Sequence, residues 1–196
     1  MLFRNIELIT KLFFLIMLTC LCFLSLETRV SAKPFKIIQK DSFVGFDINQ
    51  FGIGWLQGNF EDYDINCELE DNAITSLNAF ISIESINTGN KTRDRHLQTK
   101  QFFNSKKYPN ITFKLIKPLK VNDQIMYGKL QIRGVEMEVS IPVSLNYMTD
   151  NNSEILKAKI LNFEFNRDEY GLITYKKLIS NLVQANIHVT FSSDEI

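Results

Sequence analysis

Arg93, Asp94 and His96 are the residues of this chain whose types and spacing best suit chemistry. An arginine and an imidazole three residues apart can pair with a phosphate or another polar head. A carboxylate close to an imidazole is also a minimal acid–base pair. The same side chains suit a structural task, with Arg93 and Asp94 bonding the backbone of a connecting segment and pinning it in place. Both readings stand on the sequence alone. The second histidine, His188, alternates with apolar neighbours and is expected to point outward. Two histidines, and one cysteine (Cys67) beyond an apolar N-terminal run, give no zinc ligands at a recognisable spacing. There is no nucleophile elbow and no glycine loop that would cradle a phosphate. No metal, cofactor or enzymatic activity is therefore expected.

The elements that must position these groups follow from patterning. The chain of 196 residues carries 22 basic and 22 acidic side chains, which removes any broad electrostatic case for nucleic acid. Its opening reads as an export signal over residues 1–32. Arg4 and Lys11 precede an unbroken apolar run from Leu12 to Leu26, and small residues follow at Val30-Ser31-Ala32. That run is short against the about 20 residues a stable span needs, so no membrane span is expected once the signal is removed. Cys20 and Cys22 lie within it, which leaves Cys67 as a lone, buried thiol of residues 33–196.

From Lys33 onward the dominant signal is a period of two, the mark of strands with one buried face. Val44, Phe46 and Ile48 share a face, as do Leu77, Ala79, Ile81 and Ile83. Later stripes are Ile111, Phe113 and Leu115; Leu130 and Ile132; Val139 to Tyr147; Leu161, Phe163 and Phe165; and Val183 to Phe191, including Ile187. Turn residues separate them at Glu70-Asp71-Asn72, Val121-Asn122-Asp123, Arg133-Gly134 and Thr149-Asp150-Asn151-Asn152. About eight strands joined by short turns suit a small all-β antiparallel barrel. Residues 88–109 break the rhythm and read as a short helical insertion, capped by Thr88 or Asn90 and ended by Pro109. A longer loop is expected over residues 166–180.

The interrupted stretch also carries a resemblance. Ser85-Ile86-Asn87-Thr88-Gly89-Asn90, Arg93-Asp94-Arg95-His96-Leu97, Phe102-Phe103, Tyr108-Pro109 and Ile111-Thr112-Phe113 fall in the order and spacing of the YceI family. Val44-Gly45-Phe46, Gly58-Asn59-Phe60, Leu130 to Val135 and Phe165-Asn166-Arg167-Asp168 extend the match across almost all of residues 33–196. The resemblance implies an eight-stranded, lipocalin-like barrel with an elongated apolar tunnel, exported, and holding a polyisoprenoid, quinone-type molecule or other long-chain amphiphile. Under it, Val44, Phe46, Ile48, Phe60, Ile81, Ile83, Phe113, Leu130, Ile132, Phe165 and Ile187 would line the cavity. Arg93, Asp94, His96, Phe102 and Phe103 would stand at its mouth. Many relatives carry histidine at two places that hold Asp41 and Gln50 here; if either touches the headgroup in relatives, the resemblance implies a different headgroup for this chain. Trp55 replaces a smaller residue and would narrow one end of the cavity. The expected partner is a long-chain lipid, with a homodimer left open. The competing readings are an interaction module with a filled barrel, and an enzyme acting on an isoprenoid.

Overall fold

The strand pattern of the sequence closes on itself in the computed structural model, which describes residues 32–150 and 153–194. The export-signal expectation lies outside the described residues. The strands are β1 (Lys33–Ile37), β2 (Phe43–Gln50), β3 (Gly54–Phe60), β4 (Tyr63–Glu70), β5 (Ala73–Ser82) and β6 (Ile86–Asn87). After the helix α1 (Lys91–Leu97) come β7 (Asn110–Leu115), β8 (Leu119–Lys120), β9 (Ile125–Ile132) and β10 (Val135–Asp150). The chain ends in β11 (Ser153–Ile160), β12 (Glu164–Asn166) and β13 (Ile179–Ser192).

Eight of these strands form a closed antiparallel circuit, β1–β4–β5–β7–β9–β10–β11–β13 and back to β1. Closure removes the unpaired edges an open sheet would expose. The long β13 is the hinge of this arrangement. Its last residues, Phe191 and Ser192, pair with β1, while Ile179 to His188 pair with β2. β1 and β2 are one bent strand, kinked at a 3-10 turn over Gln39–Asp41. Thr190 seals the kink: its carbonyl accepts from Ile38 N–H at 2.7 Å, its N–H donates to Ser42 Oγ at 3.0 Å, and its Oγ1 donates to the Asp41 carbonyl at 3.1 Å. β2 and β3 then extend the wall at the end where α1 sits.

Tight turns set the registers. Asp71 and Asn72, and Arg133 and Gly134, take positive φ at both central positions (49° and 59°, 52° and 79°). Those dihedrals match the right-handed twist of the hairpins they join. Inside, Phe35, Ile74, Leu119, Leu156 and Phe191 are among the most buried side chains and close the end away from α1. Cys67 belongs to the same packing, and burial pushes its thiol up to about 12. An acid whose folded value is raised favours the neutral form, so this stability is present below the ordinary thiol value and is lost as pH rises towards 12. At pH 9 an alkylating reagent is therefore expected to label Cys67 only after the barrel is unfolded. Labelling of the native protein at the rate of a free thiol would contradict the burial.

Two strand expectations need correction. Leu161, Phe163 and Phe165 do not share one strand. Asn162 takes the left-handed conformation (φ 49°) and interrupts the chain between β11 and β12, leaving Leu161 exposed. The strand on that side is β11, where Leu156, Ala158 and Ile160 face inward between Lys157 and Lys159. Ile83 likewise leaves its stripe: β5 ends at Ser82, and a 3-10 turn over Ile83–Ser85 rotates the side chain off the strand face. Among the described residues no helix is long and apolar enough to cross a membrane.

Candidate binding cavity

The inward stripes enclose a cavity of about 330 Å³ rather than a filled core. Val44, Phe46, Ile48, Phe60, Ile81, Phe113, Leu130, Ile132, Phe165 and Ile187 stand on its wall. Ile83 does not; it is buried in the packing beside the Pro109 carbonyl, which accepts its N–H at 2.8 Å. Ile74, Leu119 and Met126 line the deep end. Small residues hold the space open: Ala79, Ala158 and Ala185 occupy wall positions that larger side chains would fill. Gly58 and Gly128 have a related role, because a Cβ there would lie 2.4 Å from the Phe46 ring and 2.1 Å from the Phe113 ring. Both rings can occupy their places only because those positions carry no side chain.

Polar groups reach the cavity at one end alone. Gln50, Arg93, His96, Arg167 and the ring of Tyr175 gather where β2, α1 and the loop after β12 meet. Tyr175 both lines the cavity and is 48% exposed, so the interior meets solvent there. Helix α1 is placed by Asn90, whose Oδ1 accepts from the Thr92 and Arg93 N–H groups at 3.0 and 3.1 Å. Arg93 Nε donates to Thr88 Oγ1 at 2.8 Å and its Nη2 to the Thr88 carbonyl at 2.7 Å. Asp94 Oδ1 accepts from the Thr88 N–H at 3.0 Å and from its hydroxyl at 2.5 Å. Arg93 and Asp94 thus perform the pinning task described above, although Arg93 also touches the cavity.

His96 differs from its neighbours. Its Nε2 is buried with no hydrogen-bond partner, and its ring meets Phe102 edge-on at 5.1 Å. Asp94 spends its contacts on Thr88, so the structure does not assemble the Asp94–His96 acid–base pair. Phe102 is buried and Phe103 half-buried; both line the cavity below α1 and plug part of that end. His188 faces solvent, stacked on Phe43 with ring centroids 5.7 Å apart. Among the described residues no cluster of three His, Cys, Asp or Glu side chains could hold a metal ion.

Arg167 is the site residue that sequence reasoning undervalued. It is 4% exposed, and its side chain ties three backbone carbonyls: Ser180 at 2.8 Å through Nε, Ile179 at 3.4 Å through Nη2, and Leu172 through Nη1. Burial lowers the guanidinium's proton affinity, and the Asp168 charge offsets part of that effect. Asp168 itself pairs with Lys176 at 3.1 Å. The Phe165-Asn166-Arg167-Asp168 motif marked the position, but only the fold brings Ser180 and Ile179 back to it. Two further expectations resolve by position. Gln50 lines the mouth and places an amide there, whereas Asp41 sits on the outer kink and does not reach the cavity. Trp55 does not narrow the cavity. It alternates with the lining residue Leu56 on β3 and is 63% exposed.

The geometry has counterparts. A family model described as the YceI-like domain matches residues 35–193. A UPF0312 protein of Photorhabdus laumondii is 33% identical over 107 residues, covering 53% of this chain and 56% of that protein, so the match spans about half of its length. The crystal structure of the Campylobacter jejuni YceI protein superposes with a TM-score of 0.66 at 28% identity, covering 75% of this chain and 90% of that one. A polyisoprenoid-binding domain from Saccharophagus degradans shares the fold, with a TM-score of 0.65 at 14% identity over 84% of this chain and all of that domain.

Proposed function

Because the chain belongs to the YceI-like domain family, we propose that it is an exported, non-catalytic carrier that holds one long apolar lipid inside its barrel. The observation that carries this reading is the cavity itself: an apolar interior with its few polar side chains gathered at one end. An amphiphile fits that asymmetry, with its tail running towards Ile74 and Leu119 and its head beside Gln50, Arg93 and His96. Removing the tail from water at about 25 cal/mol per Å² would yield several kcal/mol after ordering costs. The fold-sharing domain of Saccharophagus degradans, described as polyisoprenoid-binding, supports a prenyl or comparably long chain as the cargo class. Export is supported by the basic start, apolar run and small residues of 1–32.

The test is to express the full chain in a cell that can export it and purify the processed protein without detergent. Extraction followed by lipid mass spectrometry is expected to give one dominant prenyl or acyl species at near-stoichiometric amount. N-terminal sequencing is expected to begin immediately after Ala32. An extract that stays empty after incubation with cell lipids would overturn the carrier reading.

A further inference from the structure

The mouth of the cavity carries an apolar rim on its outer surface. The hairpin between β2 and β3 turns through Gly52 and Gly54, with φ of 81° and 113°, and presents Ile53 at its tip, 84% exposed. The Phe51 N–H donates to the Leu178 carbonyl at 3.0 Å, which ties the hairpin to the loop that follows β12. Among the described residues, the large apolar side chains more than half exposed are Phe51, Ile53, Trp55, Ile173 and Leu178. All five lie on these two segments, which also supply the lining residues Gln50 and Tyr175.

Surface this apolar is costly to leave in water, and its position beside the cavity points to a partner that shares the cargo. Cations flank it. Lys176 and Lys177 sit between Tyr175 and Leu178, with Arg95 and Lys100 exposed on and after α1. Asp168, paired to Lys176, and the exposed Glu169 are the acids of the same loop. Exposed Trp, Ile and Phe bordered by Lys and Arg match the interface between headgroups and acyl chains of an anionic bilayer.

We propose that this rim seats the barrel mouth-down on an anionic lipid surface, so that cargo passes between bilayer and cavity without crossing water. The proposal rests on the carrier reading and is tested separately from it. Trp55 is the sole tryptophan of the chain and reports on the rim directly. The processed protein is mixed with vesicles of phosphatidylcholine and phosphatidylglycerol, with and without brominated acyl chains. Trp55 emission is expected to shift to the blue, to lose acrylamide accessibility and to be quenched by the bromine. Pure phosphatidylcholine vesicles are expected to weaken this response about tenfold. Ile53→Asp, at an exposed tip outside the cavity, is expected to weaken it about tenfold or more and to leave the affinity for a soluble fluorescent long-chain probe unchanged. Emission and accessibility unchanged by vesicles would overturn the proposal, and would leave the carrier reading standing if the extract still holds lipid. A blue shift without vesicles that grows with protein concentration would overturn it in favour of a second copy. Docking by a barrel that yields no lipid would uphold the rim and remove the carrier.

Discussion

Ala185→Trp is expected to abolish lipid binding while leaving the barrel folded. Ala185 lies on β13, opposite Phe46 of β2, and its small side chain forms part of the cavity wall between Val183 and Ile187. An indole there would project into space that is about 330 Å³ in all. In a packed core such a substitution forces overlap and destabilises. Here it enters a void and gains contacts, so thermal stability is expected to hold or rise. The ligand, in contrast, loses both the room and the apolar wall it would cover. Affinity is expected to fall about 100-fold or more, or about 3 kcal/mol. Titration with a fluorescent long-chain probe, alongside circular dichroism and a thermal melt, separates the two effects. Full binding by a folded Ala185→Trp variant would show that the chain does not use this cavity.

Arg167→Leu is expected to be the most destabilising single substitution at the mouth. The leucine keeps much of the apolar bulk but withdraws the donors from the carbonyls of Leu172, Ile179 and Ser180. A buried carbonyl left without a partner costs about 1–3 kcal/mol and the two part-buried ones less, so a total of about 3 kcal/mol is expected. For a chain of this size that corresponds to a fall in Tm of roughly 10 °C. Arg167→Lys is not expected to rescue it, because one ammonium cannot reproduce the planar fork that reaches three separate carbonyls. The loop over 168–178 is held at both ends by these bonds, so limited proteolysis is expected to cut there first. A Tm within about 2 °C of the parent would show that water satisfies the carbonyls instead.

These two residues mark different kinds of control over one site. Ala185 decides whether there is space, and Arg167 decides whether the loop bearing Tyr175 and Leu178 stays at the mouth. His96 stands between them. It lines the cavity, and its Nε2 is buried without a hydrogen-bond partner among the described residues, a nitrogen that a bound polar head within reach would satisfy.

The sequence by itself determined which faces of the strands are apolar, because side chains alternate with a period of two whatever the sheet later does. Val44, Phe46 and Ile48, or Leu130 and Ile132, could be assigned inward without coordinates. It also determined the local turns, where Asp71, Asn72 and Gly134 tolerate positive φ, and the cap of α1 at Asn90. Several matched motifs made the barrel family legible over nearly the whole of residues 33–196. Tertiary structure decided the rest. Alternation cannot distinguish a filled barrel from a hollow one, since an inward Phe packs equally well on a neighbour or around a void. Only closure of the circuit, with Ala79, Ala158 and Ala185 on the wall, left the space empty. Ile83 and Leu161 were misplaced for a related reason: a 3-10 turn and one left-handed asparagine change the direction of every following side chain, and neither announces itself in a hydrophobic pattern. The role of Arg167 was equally hidden, because the carbonyls it holds lie up to 13 residues away in the chain and meet it only through the fold.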